Sequence, residues 1–447
     1  MTPAPVPPLG THSLLVFLLQ VGALLLAGVV LGRLAKRLGM PALVGELLAG
    51  VLLGPTILGN LAPQLGAWLF PQDPAQTHLL DAFSQVGVLL LVGITGAHLD
   101  SSVFRKHGGR AMWISVCGLV VPLGCGFATG YVVPDSLVPD GVGRGVFALF
   151  LGVAMCVTAI PVIAKILLEL DLMHRKVGQL TVAAAFFDDT VGWLLLSVVA
   201  ALATGGAAGA TLPQTLGYLV VFLAAAFLIG RPVVRRALRA SSRHAEAGPT
   251  VAVAVVTILA YSAATAAIGL EALFGAFVAG ATVLGFADPA KLAPLRTIVL
   301  AVLAPVFLAG IGLRMDITLL AEPTVLLTAI AVLLVAILGK FGGVYLGARA
   351  GRLSHTEGIA LGVAMNARGM IEVVIALAGL RIGVLNTATF TIIVLVAIVT
   401  SLLAPPLLRL ATRDLIPDAE EQQRRIRFAG WSAADGPGLN DTARAAR

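Results

Sequence analysis

Apolar runs follow one another from residue 13 to residue 411, and they restrict this chain to one kind of fold. About thirteen of them are some 17–25 residues long, enough for an α-helix to cross a hydrocarbon layer roughly 30 Å thick. They fall at 13–33, 43–59, 79–98, 111–133, 145–168, 178–203, 214–238, 249–268, 270–287, 296–314, 324–348, 356–380 and 387–411. The connections between them are mostly too short to hold a soluble domain. Only 12% of the residues are charged, against about 25% in a soluble protein, and the mean hydropathy is +0.98. The reading is an all-α polytopic membrane protein. It has an N-terminal extracytoplasmic segment at 1–12, a transmembrane domain at 13–411 and a polar, disordered cytoplasmic tail at 412–447.

The connections carry their charge unevenly. Arg33, Lys36 and Arg37, then Arg105, Lys106 and Arg110, then Arg175 and Lys176 occupy alternate loops. The same alternation continues with Arg235, Arg236, Arg239 and Arg243, with Lys291 and Arg296, with Arg349 and Arg352, and with the tail from Arg409. The 59–78 and 204–213 loops have no lysine or arginine. Basic loops stay in the cytoplasm, so the N-terminus is expected outside, the C-terminus inside and the location a cell membrane. The net charge of +7 follows from topology, and no nucleic-acid partner is implied. The first twelve residues lack a basic n-region, so the first run reads as a retained helix.

Several function classes lose support here. Cys117, Cys125 and Cys156 lie in apolar runs without paired metal spacing, and the seven histidines fall in loops or at helix ends. No Gly-Lys-Ser/Thr phosphate loop appears. Neither a cofactor, a resident metal nor a nucleophile–base set is expected, so an enzyme is the least favoured class.

Charge inside the membrane stands out against that background. Asp188 and Asp189 are adjacent within Ala183-Ala-Ala-Phe-Phe-Asp-Asp-Thr-Val-Gly-Trp-Leu-Leu-Leu196. A carboxylate at the bilayer centre costs roughly 2.5–3.5 kcal/mol on insertion scales, and such residues mark ion or proton pathways. Counting about 1.5 Å per residue from the loops puts Asp188, Thr158, Lys340, Arg368 and Glu372 in one layer near midplane. Neighbouring residues on a helix point about 100° apart, so one aspartate can pair with Lys340 while the other faces a cavity. Arg368 and Glu372, spaced i, i+4, can pair along their own helix.

A duplication is also legible. Gly45-Glu-Leu-Leu-Ala-Gly50 in the second run matches Gly275-Ala-Phe-Val-Ala-Gly280 in the ninth. The end of the third, from Gly93 to Asp100, matches the end of the tenth, from Gly310 to Asp316. The offset is seven helices, an odd number, so the copies (helices 2–6 and 9–13) would run in opposite senses. Inverted repeats place a transporter's substrate site at midplane, between discontinuous helices. Pro161 in the fifth run removes a backbone donor and disfavours helix at Ile160. Asn366 and Gly369 loosen the twelfth. The two are expected to unwind and cross, with charges compensating their opposed dipoles.

These residues together give the chain a likeness. Val44–Gly59, Thr158–Leu167, the Asp188-Asp189 pair, Leu273–Gly280, Gly339-Lys340 and Asn366-Ala-Arg-Gly-Met-Ile-Glu372 resemble the monovalent cation:proton antiporter superfamily. Within it, the resemblance is to the branch containing bacterial potassium-efflux-type antiporters and plant cation/proton exchangers. The resemblance spans about 13–411. It implies a thirteen-helix inverted-repeat fold with two crossed discontinuous helices, a homodimer, and elevator-like alternating access. Asp189 would bind cation or proton in turn, and Asp188 would form a switchable pair with Lys340. In that family an Asp-Asp pair tends to accompany electrogenic exchange and Asn-Asp electroneutral exchange. This chain combines Asp188 with the Arg-Gly-x-x-Glu of its plant-like relatives, which leaves stoichiometry open. Gating through a large nucleotide-sensing domain like that of the potassium-efflux members is not expected.

The expected partners are Na+, K+ or Li+, protons and the lipid bilayer. A carboxylate in a partly dehydrated cavity favours its proton, and a bound cation favours the charged form; competition for Asp189 would couple the two fluxes. The Thr158 hydroxyl and unwound carbonyls can add oxygen ligands, and they do not distinguish the three cations. A channel would use the same acid without coupling. A proton-driven exporter of a small organic metabolite would need a wider, more polar or aromatic cavity than Ala, Gly, Val and Leu provide.

Overall fold

A computed structural model describes residues 10–38, 40–71, 73–97, 101–158, 163, 166–167, 170, 172, 175–203, 212–243, 246–282, 287–413, 415 and 421. Among them every regular element is helical, the form in which a chain satisfies its own backbone groups inside lipid. The helices are α1 (Thr11–Arg37), α2 (Ala42–Leu53), α3 (Leu58–Leu61), α4 (Pro63–Leu69), α5 (Pro74–Ala97), α6 (Ser101–Val132), α7 (Arg144–Cys156) and α8 (Lys176–Ala203). After these come α9 (Leu212–Ala225), α10 (Arg231–Ser241), α11 (Gly248–Ala267), α12 (Ala272–Thr282), α13 (Pro289–Ile298), α14 (Ala304–Gly312) and α15 (Pro323–Ala350). The series ends with α16 (His355–Ala364), α17 (Met370–Arg381) and α18 (Thr387–Ala411).

Ten helical stretches among the described residues are long and apolar enough to cross a membrane, and the chain is a multi-pass membrane protein. The remaining three of the thirteen apolar runs correspond to shorter helices: α7, α12 and the pair α16–α17. Two spans contain a π turn, Ala226–Gly230 between α9 and α10 and Val299–Leu303 between α13 and α14. Pro232 and Pro305 explain both, because a proline ring displaces the carbonyl four residues earlier, and Leu228 and Ala301 lie inside the two turns.

Helix packing repeats at the offset read from the sequence. α1 packs on α2 as α11 packs on α12; α2 packs on α14 as α12 packs on α5; α6 packs on α7 as α15 packs on α16. The matched glycines carry this symmetry. A Cβ on Gly45 would lie 2.1 Å from the Leu31 carbonyl oxygen, and one on Gly275 would lie 2.3 Å from that of Tyr261. In both cases the partner precedes the glycine by the same number of residues. The crossing of α2 with α14 is tighter still, since a Cβ on Gly50 would come within 1.8 Å of the Ala309 carbonyl oxygen. Without Cβ atoms, helix backbones approach closely and dispersion contacts hold them, as membrane helices require.

The packing divides into two bundles. One contains α1, α2, α5, α11, α12, α13 and α14, and the other contains α6, α7, α8, α15, α16, α17 and α18. Among the described residues they meet directly at α8 with α12 and α2 with α18, and the α9–α10 span bridges them, packing on α8 at one end and on α11 and α12 further along. Exposed leucines and valines cover the outer faces, such as Leu18, Leu26, Val221, Leu228 and Leu327, as a surface facing acyl chains should. Two of the described residues of the polar tail, Leu415 and Glu421, are bonded to the start of α8. The Leu415 carbonyl accepts from Arg175 at 2.7 Å, and Glu421 accepts from Arg175 Nε at 3.0 Å and from the Lys176 amide at 2.6 Å.

Candidate functional site

Two interruptions position the site. α7 ends at Cys156, and Val157 is extended. Pro161 and Ile160 lie outside the described residues, but a proline at 161 has no N–H to offer the Val157 carbonyl, and the helix stops one residue short of it. The twelfth span stops at Ala364, runs through Met365–Gly369 without helix, and restarts at Met370. Asn366 and Gly369 therefore both fall within the break. The Asn366 amide ties that break to α15, donating to the Ile337 carbonyl at 3.1 Å.

Arg368 joins the two interruptions. Its guanidinium donates to the carbonyls of Ala154 at 3.1 Å and Met155 at 2.6 Å, to that of Ala336 at 3.2 Å, and to Glu372 Oε1 at 2.9 Å. Ala154 and Met155 belong to the last turn of α7, whose carbonyls have no partner within the helix. A cation there also meets the negative end of the helix dipole. Glu372 sits in the first turn of α17, the end that favours an anion. The pair is thus an i, i+4 contact that compensates two opposed helix ends. The Ser401 hydroxyl closes the arrangement by donating to the Arg368 carbonyl. Asn366 Oδ1 and Glu372 Oε2 are buried without a hydrogen-bond partner among the described residues.

Beside this crossing lies a second buried pair. Lys340 Nζ is 2.6 Å from Asp188 Oδ2, with both side chains fully buried. The ammonium also donates to the Cys156 carbonyl at 2.6 Å and the Gly118 carbonyl at 3.0 Å. Asp188 receives two hydroxyls as well, Ser115 on Oδ1 at 2.6 Å and Thr158 on Oδ2 at 3.0 Å. Buried ions persist when hydrogen bonds compensate them, and α6 and the end of α7 each supply one partner to the acid and one to the amine. Asp189 follows on α8, 1% exposed and turned about 100° away from Asp188.

Eight of the nine residues singled out in the sequence fall in the described structure. Asp188, Thr158 and Lys340 form one cluster; Arg368 and Glu372 form the next, with Asn366 and Gly369 in the break that carries Arg368. Thr158 touches the first aspartate and not the second in this arrangement. The sequence reading missed Ser115, and it missed the anchoring carbonyls of Gly118, Cys156, Ala154, Met155 and Ala336. Ser115 had one available signal, a hydroxyl inside the apolar run 111–133, one turn from Gly118. Backbone carbonyls leave none.

A duplicated helical membrane bundle, with two interrupted helices meeting beside buried charge, is the architecture of a secondary transporter. The sequence model of the family described as "Sodium/hydrogen exchanger, transmembrane" matches residues 22–412, and the chain belongs to that family. It is 31% identical over 402 residues to the Na(+)/H(+) antiporter NhaS4 of Synechocystis, covering 89% of this chain and 97% of that protein. It is 30% identical over 419 residues to Cation/H(+) antiporter 15 of Arabidopsis thaliana, covering 93% of this chain and 50% of the relative. The chain thus spans about half the length of that plant relative. Among solved structures, the sodium proton antiporter MjNhaP1 from Methanocaldococcus jannaschii superposes with a TM-score of 0.65 at 16% identity. That match covers 92% of this chain and 99% of the other, and it establishes the fold.

Proposed function

We propose that the protein is a secondary antiporter that exchanges a monovalent cation, Na+ or K+, for protons, with Asp189 binding the two in turn. The observation that carries this reading is a buried carboxylate, Asp189, next to a fully satisfied Asp188–Lys340 pair, in the bundle where two interrupted helices cross. One carboxylate cannot hold a proton and a cation together, so each displaces the other. Mutual exclusion couples the fluxes without a cofactor. Oxygen ligands for the cation come from Asp189, the lone pairs of the Thr158 hydroxyl and the unwound backbone near Thr158 and Asn366. Relatives named as Na(+)/H(+) and K(+)/H(+) antiporters support the substrate class.

Access alternates as the bundle that carries the site slides against the other. The thin contact between the two is the observation behind this elevator motion. The assembly is a homodimer in the cell membrane, with the N-terminus outside and the basic loops and C-terminus in the cytoplasm, the orientation set by loop charge. The test uses proteoliposomes with a trapped pH dye, challenged separately with Na+, K+ and Li+. Wild type is expected to move protons in response to at least one cation, and Asp189→Asn to fold and move none. Cation-dependent proton flux retained by Asp189→Asn would overturn the assignment. No response in folded wild type would replace the antiport reading with transport of an organic solute.

A further inference from the structure

A cavity of about 670 Å³ lies between the two bundles, on the side that loop charge assigns to the outside. It shares no residue with the Asp188–Lys340 cluster or the Arg368–Glu372 pair. Its walls are mainly apolar, with Leu53, Phe70, Phe307, Ile311 and Leu377 among them. One pole is charged. Arg314, which follows α14, and Arg381, which ends α17, line it together with Asp81 of α5. The two guanidiniums thus come from opposite bundles and meet over one cavity. A concavity of a few hundred Å³, apolar except for a few convergent polar groups, is the form of a small-molecule site.

These guanidiniums are little used by the protein itself. Each has five N–H donors. Among the described residues Arg314 donates to Asp81 and Arg381 to Gln85, one bond apiece. Arg368, which joins two helix ends, places four. Charge is unmatched as well. The groups in electrostatic reach of Arg381 are Asp81, Glu271 and the like-charged Arg314. Asp81 is already bonded to Arg314. Glu271 accepts from the amides of Ala272 and Leu273 at the start of α12 and is not part of the cavity wall. The remaining titratable side chain of the wall, His78, can only add positive charge. The wall therefore carries two fixed positive charges against one negative. An anion placed between the arginines would take up their idle donors and relieve their mutual repulsion.

We propose that this cavity binds an amphiphilic anion, its sulfonate, carboxylate or phosphate head bridging Arg314 and Arg381 and its apolar body lying against Phe70, Phe307 and Leu377. Planar guanidinium forks take such oxyanion heads bidentately. Because the occupant touches both bundles, it binds best when the two arginines are apposed, and a ligand that prefers one arrangement holds the protein in it. Occupancy therefore slows exchange. That consequence rests on the antiport reading and its sliding bundles, whereas the binding itself does not. Two sources present this chemistry, a soluble organic anion and an acidic phospholipid of the outer leaflet.

Titration calorimetry on the full chain in phosphatidylcholine nanodiscs, with empty nanodiscs as the blank, tests the binding. Octanesulfonate stands for the soluble source and dihexanoyl-phosphatidylglycerol for the lipid. At least one should bind. Methanesulfonate, octyltrimethylammonium and dihexanoyl-phosphatidylcholine should not, because each lacks either the tail or the net negative charge. Arg314→Gln and Arg381→Gln should each weaken binding about tenfold or more, the scale of one lost charged hydrogen bond. The probe that binds wild type and is lost in both variants identifies the source. Ala67→Trp keeps both arginines but fills part of the cavity; it should exclude the same probe, and it decides the matter if an arginine variant does not fold. Failure of both anionic probes to bind, undiminished binding in the variants, or equal binding of octyltrimethylammonium would overturn the site. In proteoliposomes with the trapped pH dye, the bound probe should slow wild-type exchange and leave the rate of Arg381→Gln unchanged. Binding without slowing would overturn the hold on the bundles. A dye that responds to no cation would instead overturn the antiport reading, while the calorimetry still decides the site.

Discussion

At the scale of single residues, buried charge in this protein is matched group by group. Lys340 and Asp188 are both fully buried, and removing one partner of such a pair costs about 3–5 kcal/mol because the other ion is left uncompensated. Lys340→Ala should therefore lower the melting temperature of the purified protein by several degrees, as read by fluorescence-detected thermal unfolding. A melting temperature equal to wild type would mean that Asp188 needs no counterion. Arg368→Ala removes donors from three carbonyls and from Glu372. It should be more damaging than Glu372→Gln, which keeps an oxygen to accept the Arg368 bond. The aspartates, the lysine and the arginine were legible in the sequence because charge in an apolar run is conspicuous. The partners that hold them were not, since most are backbone carbonyls, which every residue carries, and one is a serine indistinguishable from any other hydroxyl.

At the scale of elements, the close crossings are glycine contacts and the interruptions are proline and glycine effects. Gly50→Ala would put a methyl group against the Ala309 carbonyl in the crossing of α2 with α14. Overpacking of this kind typically costs about 1–3 kcal/mol, so a lower melting temperature and reduced recovery of folded protein are expected. Gly248→Ala, where a Cβ would meet nothing within 4 Å, is the control and should resemble wild type. Equal stability of the two variants would show that the crossing relaxes at no cost. The glycine repeat was readable because Gly45 and Gly50 recur as Gly275 and Gly280. The start of the break in the fifth span was displaced from its proline, because a missing N–H acts on the carbonyl four residues earlier. The π turns before Pro232 and Pro305 went unread for the same reason: a proline reports its effect one turn upstream.

For the whole molecule, the decisive property is the thin seam between the two bundles. Arg381 at the end of α17 donates to Gln85 on α5 across it, so these positions face each other from opposite bundles. Cysteines at both, in a background without the native three, can be bridged by a thiol-reactive cross-linker whose reducible arm spans the length of the two replaced side chains; the bridge should stop exchange, and reduction should restore it. Undiminished exchange with the cross-link complete, measured in the dye assay, would exclude sliding of one bundle against the other. The sequence allowed the duplication and the membrane class to be read, since hydropathy and periodic glycines are local signals. The division into two bundles depends on which helices meet across some hundreds of residues, and no local pattern records that.

The carbonyls of Gly118 and Cys156 that receive Lys340 carry a consequence for reading variation in such a protein. A carbonyl survives every replacement of its own side chain. Position 156 would tolerate small substitutes while still holding the ammonium. Position 118 would reject them because a Cβ there would strike Val344 at 2.8 Å, a matter unrelated to the lysine. A complete catalogue of point variants would therefore record one silent site and one sterically forbidden site, and in neither case would it register the contact that restrains the charge.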